Sequence, residues 1–286
     1  MAFRDNTTLI TTAERVDLAN NGPQSDTYDG SEGATAFFIA NEAGDNVGND
    51  QLNGFGADDS ILTSRAIFDG NNDGYIQFGA NQVLDANRTG GGTRNAGEVQ
   101  ISVGGIGNQV VTEVRFLGSK DGAFVYADSS TRDDLFGRFN SGFESTNTAG
   151  GDSSVTQSRR IDNSVADNTF DFGTGSVALL TDNALGLNFG GDTINGFGDD
   201  DLLIFTSQLF DSTGEGTVTF GRNLVLDLSG ADGPQNSDPT TGPGGQFDFT
   251  GLTQIEYLGS KTINDTTYYY YGTANAETPD GVGLLA

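Results

Sequence analysis

Oxygen-bearing side chains at alternate positions, closed by a glycine, are the residues of this sequence best spaced to do chemistry. Residues 69–74 read DGNNDG, so Asp69, Asn71 and Asp73 take the first, third and fifth places of a D-x-[DN]-x-[DN]-G loop. In such a loop hard oxygen ligands converge on a calcium ion, and the glycine, here Gly74, permits the sharp turn. Ala80 stands where a bidentate glutamate would complete the helix-flanked form of the loop, and a strand-like YIQFG follows instead of a helix. Without a metal the same residues make an Asn/Gly turn. A weaker counterpart is offered by Asp211, Thr213 and Glu215 before Gly216.

A second group of carboxylates crowds two glycine turns. Residues 50–59, DQLNGFGADD, carry Asp50, Asp58 and Asp59; residues 192–201, DTINGFGDDD, carry Asp192, Asp199, Asp200 and Asp201. Like charges held this close are costly unless a cation or solvent comes between them. The plain alternative for any one of these aspartates is a solvated acidic turn.

These two segments match at seven positions of ten, at an offset of 142. The match runs on through Phe68, Asp69, Gly74, Phe78, Gly79, Asn81 and residues 83–85, which meet Phe210, Asp211, Gly216, Phe220, Gly221, Asn223 and residues 225–227. Further on, LGSK at 117–120 meets LGSK at 258–261. The chain is therefore an internal duplication. The divisions expected are an N-terminal arm (1–13), a first β repeat (14–128), a linker or insertion rich in Ser, Thr and Gly (129–158), and a second β repeat (159–286). The arm, with its β-prone residues 7–12, is suited to pairing with a sheet edge.

The elements that must position these side chains read as strands. Val99, Ile101 and Val103 alternate with polar residues, as do Ile76 with Phe78 and Val114 with Phe116, and Val218, Phe220, Ile255 and Tyr257 repeat the pattern in the second copy. With 43 glycines in 286 residues, short strands and tight turns are expected, with helical turns only near residues 63–68 and 206–210. The fold class expected is all-β, two tandem homologous domains, each a β-sandwich or a β-roll/β-helix-like coil with few or no long helices. Both architectures put every second residue inside. The run YYYY at 268–271 then sets two rings on each face of a strand, one face for the core and one for a sticky surface patch.

Composition narrows the function. A formal net charge of -27 excludes nucleic acid as a natural partner and favours cations. With no cysteine and no histidine, disulfides, thiolate sites and serine-histidine-acid catalysis are excluded. No apolar run is long enough for a transmembrane segment, and the N-terminus lacks a signal peptide's apolar core. The repeated positions are glycines, aspartates, asparagines and apolar residues, which favours a structural or binding unit over an enzyme.

GNDQLNGFGADDSIL and GGDTINGFGDDDLLIF resemble degenerate pieces of the RTX, or hemolysin-type, calcium-binding proteins. That resemblance implies β-rolls built on Gly/Asp repeats, Ca2+ as the bound ion, and type I secretion through an uncleaved C-terminal signal, which the end of this chain, DGVGLLA, is similar to. Tandem GGxGxDxLx nonapeptides are missing. The expected function is a secreted calcium-binding structural protein that self-assembles head-to-tail into an extracellular filament or surface layer, with cell-surface or matrix polysaccharide as a further partner. The alternative is a calcium-dependent carbohydrate-binding or adhesin module.

Overall fold

The computed structural model describes residues 13–18, 22–42, 45–87, 99–129, 158–162, 165–228, 245–263 and 266–276. Most of the expected arm and linker, the loop at 229–244 and the C-terminal end lie outside the described residues. The protein is all-β, and helix among the described residues is confined to short 3-10 turns such as Ile106–Asn108 and Asn183–Leu185.

Two compact units form, one holding the strands of the first copy and the other those of the second together with Asn71–Asp73. In the first unit the strands are β1 (Glu14–Asp17), β2 (Thr27–Asp29), β3 (Thr35–Ile39), β4 (Asn49–Phe55) and β5 (Ser60–Thr63), then β6 (Tyr75–Gln77), β7 (Val83–Asp85), β8 (Gln100–Gly105), β9 (Glu113–Lys120) and β10 (Ala123–Asp128). Successive strands from β1 to β5 alternate between two sheets, so β1, β3 and β5 are parallel neighbours in one and β2 and β4 in the other. The later strands close the layers: β8 adds parallel to β4, β7 pairs antiparallel with β8, β10 lies antiparallel between β5 and β9, and β6 borders β9.

The second unit repeats this order with β11 (Ser158–Asp162), β12 (Thr169–Asp171), β13 (Val177–Thr181), β14 (Gly191–Asn195), β15 (Leu202–Phe205), β16 (Thr217–Thr219), β17 (Val225–Asp227), β18 (Gln246–Phe249), β19 (Gln254–Ile263) and β20 (Thr266–Gly272). Each unit is thus a short parallel coil finished by antiparallel strands, combining features of the roll and the sandwich. The turns from β3 to β5 and from β13 to β15 take 24 residues: Thr35 bonds to Asp59, and Val177 to Asp201, at that separation.

The period-two pattern does what it predicts. Val99, Ile101 and Val103 are buried while Ser102 between them is exposed. In the second unit Val177 and Leu179 of β13, Ile194 of β14 and Phe247 of β18 meet in one apolar core between the sheets. The outer face of the strip is covered too, since all five residues of β13 are buried, as parallel strands require. Gly48 and Gly190, with φ of 92° and 79°, lie where one coil turn passes close to the previous one, and a Cβ on them would drive into the carbonyls of Gln24 and Ala166.

Two expectations are corrected. Residues 63–68 and 206–210 hold no helical turn; they are bends at the coil corners. The cause is an asparagine from the preceding turn. Asn41 Oδ1 accepts from the Arg65 N–H (2.8 Å) and its Nδ2 donates to the carbonyls of Arg65 and Ala86 (3.0 and 2.7 Å). Asn183 does the same with Ser207 and Leu228, so the corner amides are satisfied from outside and not by local helical bonds. The tyrosine run offers no surface patch: Tyr268, Tyr270 and Tyr271 are buried and Tyr269 is half-buried, because β20 is an interior strand paired on both sides.

Candidate functional site

The acidic residues singled out by the sequence separate into three environments. Asp59 and Asp201 follow the glycine turns and point inward, fully enclosed. Asp59 Oδ1 accepts from the Thr35 N–H (2.8 Å) one coil turn earlier, and Oδ2 accepts from the Gly56 N–H (2.7 Å) within its own turn. Asp201 repeats both bonds with Val177 (2.8 Å) and Gly198 (2.7 Å). Each carboxylate staples two turns together. Burial pushes both groups up to about 6, against the pull of these backbone donors.

Asp50 and Asp192 lie at the start of the duplicated segments and are equally enclosed, each 1 % exposed. One oxygen of each accepts a backbone N–H one turn back, from Asp26 (3.0 Å) and Asn168 (2.7 Å). The other oxygen, Oδ2, has no hydrogen-bond partner among the described residues in either copy. The carboxylate of Asp26, whose Oδ2 is likewise without a donor, stands against Asp50. Burial raises the Asp50 carboxyl and the Asp26 charge raises it further.

The remaining candidates are at the surface. Asp58, Asp199 and Asp200 are exposed beside the glycine turns, and Asp199 accepts from the Thr273 hydroxyl. In the two loops the first aspartate closes the turn: Asp69 Oδ2 accepts from Gly74 N–H and Asp211 Oδ2 from Gly216 N–H, both at 2.7 Å. Asn71 bonds to Asp73 (2.8 Å). Asp211 Oδ1 takes the N–H and hydroxyl of Thr213, and the Thr213 and Gly216 amides hold its carboxyl down to about 2. Glu215 donates its N–H to Thr213 Oγ1 (3.3 Å). The loops keep the shape of an oxygen-lined turn while several of their oxygens already accept from loop donors.

Sequence reasoning missed the residues that act between turns. Asn41 and Asn183 are one such pair. Tyr126 and Tyr271 are another: their hydroxyls accept from the N–H groups of Ile67 (2.8 Å) and Leu209 (3.0 Å). The signal was present as a finer period. D-T-Y-D-G at 26–30 and D-Q-L-N-G at 50–54 are one coil turn apart, as are N-T-F-D at 168–171 and D-T-I-N at 192–195. Asp162, also buried, completes the set, since its side chain meets Asp192.

Among the described residues no three acidic side chains converge as a ready-made metal cluster. No helix among them is long and apolar enough to cross a membrane. A cavity of about 400 Å³ opens beside Phe55 in the first unit, edged by Ile106, Gln109, Val110, Glu113 and Asp128. Comparison of the chain with protein-family models, curated proteins and solved structures finds no match in any of the three.

Proposed function

We propose that this chain is a secreted, calcium-binding structural protein that assembles head-to-tail with copies of itself into an extracellular filament or surface layer. The observation that carries the reading is the pair Asp26 and Asp50, two neighbouring carboxylates whose enclosed Oδ2 atoms face no donor. Buried carboxylate oxygens without donors are costly, and a hard divalent cation offsets both the desolvation and the mutual repulsion. The net charge of -27 gives the same answer on the scale of the whole chain, because bound cations relieve self-repulsion. The surface carboxylates Asp58, Asp69, Asp73, Asp199, Asp200 and Asp211 supply further oxygens for cations bridging neighbouring copies. No catalytic role is proposed.

A calcium-dependent carbohydrate-binding or adhesin module is the second reading. The cavity beside Phe55 favours it, with apolar Ile106 and Val110 set next to the polar groups of Gln109, Glu113 and Asp128.

Negative-stain electron microscopy of the full chain in millimolar calcium, and again after chelation, tests the proposal. Ordered filaments or sheets that dissolve on chelation are expected. Dispersed monomers under both conditions would overturn assembly and turn attention to glycan binding.

A further inference from the structure

One inner corner of the second unit carries two oxygen-bearing residues where the first unit has apolar ones. Val177 and Leu179 of β13 lie in the core between the sheets, so Thr181, two residues on, faces the same interior. Asp162 stands in register with Thr181 on the neighbouring parallel strand and therefore shares that face. From the opposite sheet Asp192 points inward beside the core residue Ile194, and its carboxylate meets that of Asp162. All three are enclosed, at 2 %, 0 % and 1 % exposure for Asp162, Thr181 and Asp192.

In the first unit the same corner keeps its carboxylate and is otherwise apolar. Asp50 replaces Asp192, Ile39 replaces Thr181, and Leu18, which continues β1 beside Ile39, takes the place of Asp162; both apolar residues are fully buried. The two oxygen-bearing residues stand at adjoining positions, and the carboxylate of one of them meets the retained Asp192. Asp192 Oδ2 and Thr181 Oγ1 have no hydrogen-bond partner among the described residues. The nearby charge of Asp167 is also negative.

The geometry points to an enclosed divalent-cation site in the second unit, formed by Asp162, Asp192 and Thr181 and taking Ca2+. Two carboxylates balance the ion's charge, and the threonine hydroxyl adds a neutral oxygen. Calcium suits such a corner because it accepts irregular oxygen geometry, whereas Mg2+ keeps its waters and asks for a near-octahedral shell. Burial makes the ion a permanent part of the core, exchanging far more slowly than any bound at the surface loops. The inference rests on the calcium-binding reading above, and its test separates the two.

The full chain is loaded with calcium and passed through chelating resin, and the retained calcium is measured by mass spectrometry of the metal for wild type, Asp162→Asn and Thr181→Val. Wild type is expected to keep about one calcium ion per chain that Asp162→Asn loses, with Thr181→Val losing it faster. Thr181→Val preserves shape and removes a hydroxyl with no partner, so in chelator it should melt no lower than wild type, which guards against a variant that merely misfolds. Equal retention by wild type and both variants overturns the enclosed site while leaving calcium binding elsewhere intact. Wild type that binds no calcium under any condition overturns both readings. A wild type that keeps no ion, yet gains stability at neutral pH with Asp162→Asn, shows that the two carboxylates face each other without a bridging ion and likewise overturns the site.

Discussion

The two copies differ most where their interiors should be most alike. At the inner corner the first unit has Leu18, Ile39 and Asp50 where the second has Asp162, Thr181 and Asp192, all of them buried. A few residues away the copies agree to within 0.1 Å: Asp59 and Asp201 each accept one bond of 2.8 Å and one of 2.7 Å from equivalent amides. The staples fix the turn by the same two bonds in both copies. At the corner the carboxylate is kept and its neighbour changes, Asp26 beside Asp50 and Asp162 beside Asp192.

The comparison is tested most severely at the asparagines. Asn41→Ala and Asn183→Ala each remove a side chain bonded to two separate chain segments and leave buried backbone groups unsatisfied, so each should cost about 3 kcal/mol or more in urea unfolding. Losses of similar size would confirm that the staples are equivalent; a neutral change in one copy would break that equivalence.

A smaller effect is expected from giving the second unit the first unit's corner, Asp162→Leu with Thr181→Ile. Replacing buried charge by apolar groups of suitable shape should raise stability in chelator by about 1 to 4 kcal/mol. The gain should shrink in millimolar calcium, where wild type recovers it by binding. A loss in chelator would mean that the charged corner stabilises the unit without any ion.

The smallest effect is a pH slope. Asp59 and Asp201 hold their protons up to about 6 when folded, whereas an unfolded aspartate releases its proton near 3.9. Between those values the folded chain binds more protons than the unfolded one, so this contribution is present at about pH 4 and is lost as pH rises through 6. The net negative charge acts in the same direction, so the diagnostic is the difference between wild type and Asp59→Asn or Asp201→Asn in chelator. The variants should show lower stability and a shallower slope between pH 4 and 7. An unchanged slope would show that the two carboxylates are ionised throughout.

How much of this was written openly in the sequence depends on range. The duplication, the all-β class and the inward alternation of Val99, Ile101 and Val103 were legible, because each depends on neighbours or on identical letters. The two architectures could not be separated, since both bury alternate residues and the structure combines them. The aspartates after the glycine turns were found, but their work as staples was not. That work depends on amides 24 residues back, carried by residues of different type in the two copies, Thr35 and Val177. Tyr126 and Tyr271 escaped notice because the hairpin lengths before them differ and carry them out of alignment. The Asp162 corner escaped for a different cause: its partners come from a neighbouring strand and a facing sheet, and its first-unit equivalent is a leucine.

The 24-residue turns from β2 to β4 and from β3 to β5, repeated in the second unit, are modules that the chain can add whole. Every staple from Asp59, Asp201, Asp50 or Asp192 reaches one turn back and no further, so a whole extra turn could be spliced in without moving any donor from its acceptor. The spacing is not uniform, since Glu14 pairs with Thr35 and Ser158 with Val177 over shorter connections, so the loops between coil strands absorb other lengths while the Asp59 and Asp201 staples keep theirs. Copying a whole turn is therefore one way to lengthen the coil that keeps every such staple, and a chain that contains itself twice shows copying at the level of whole units.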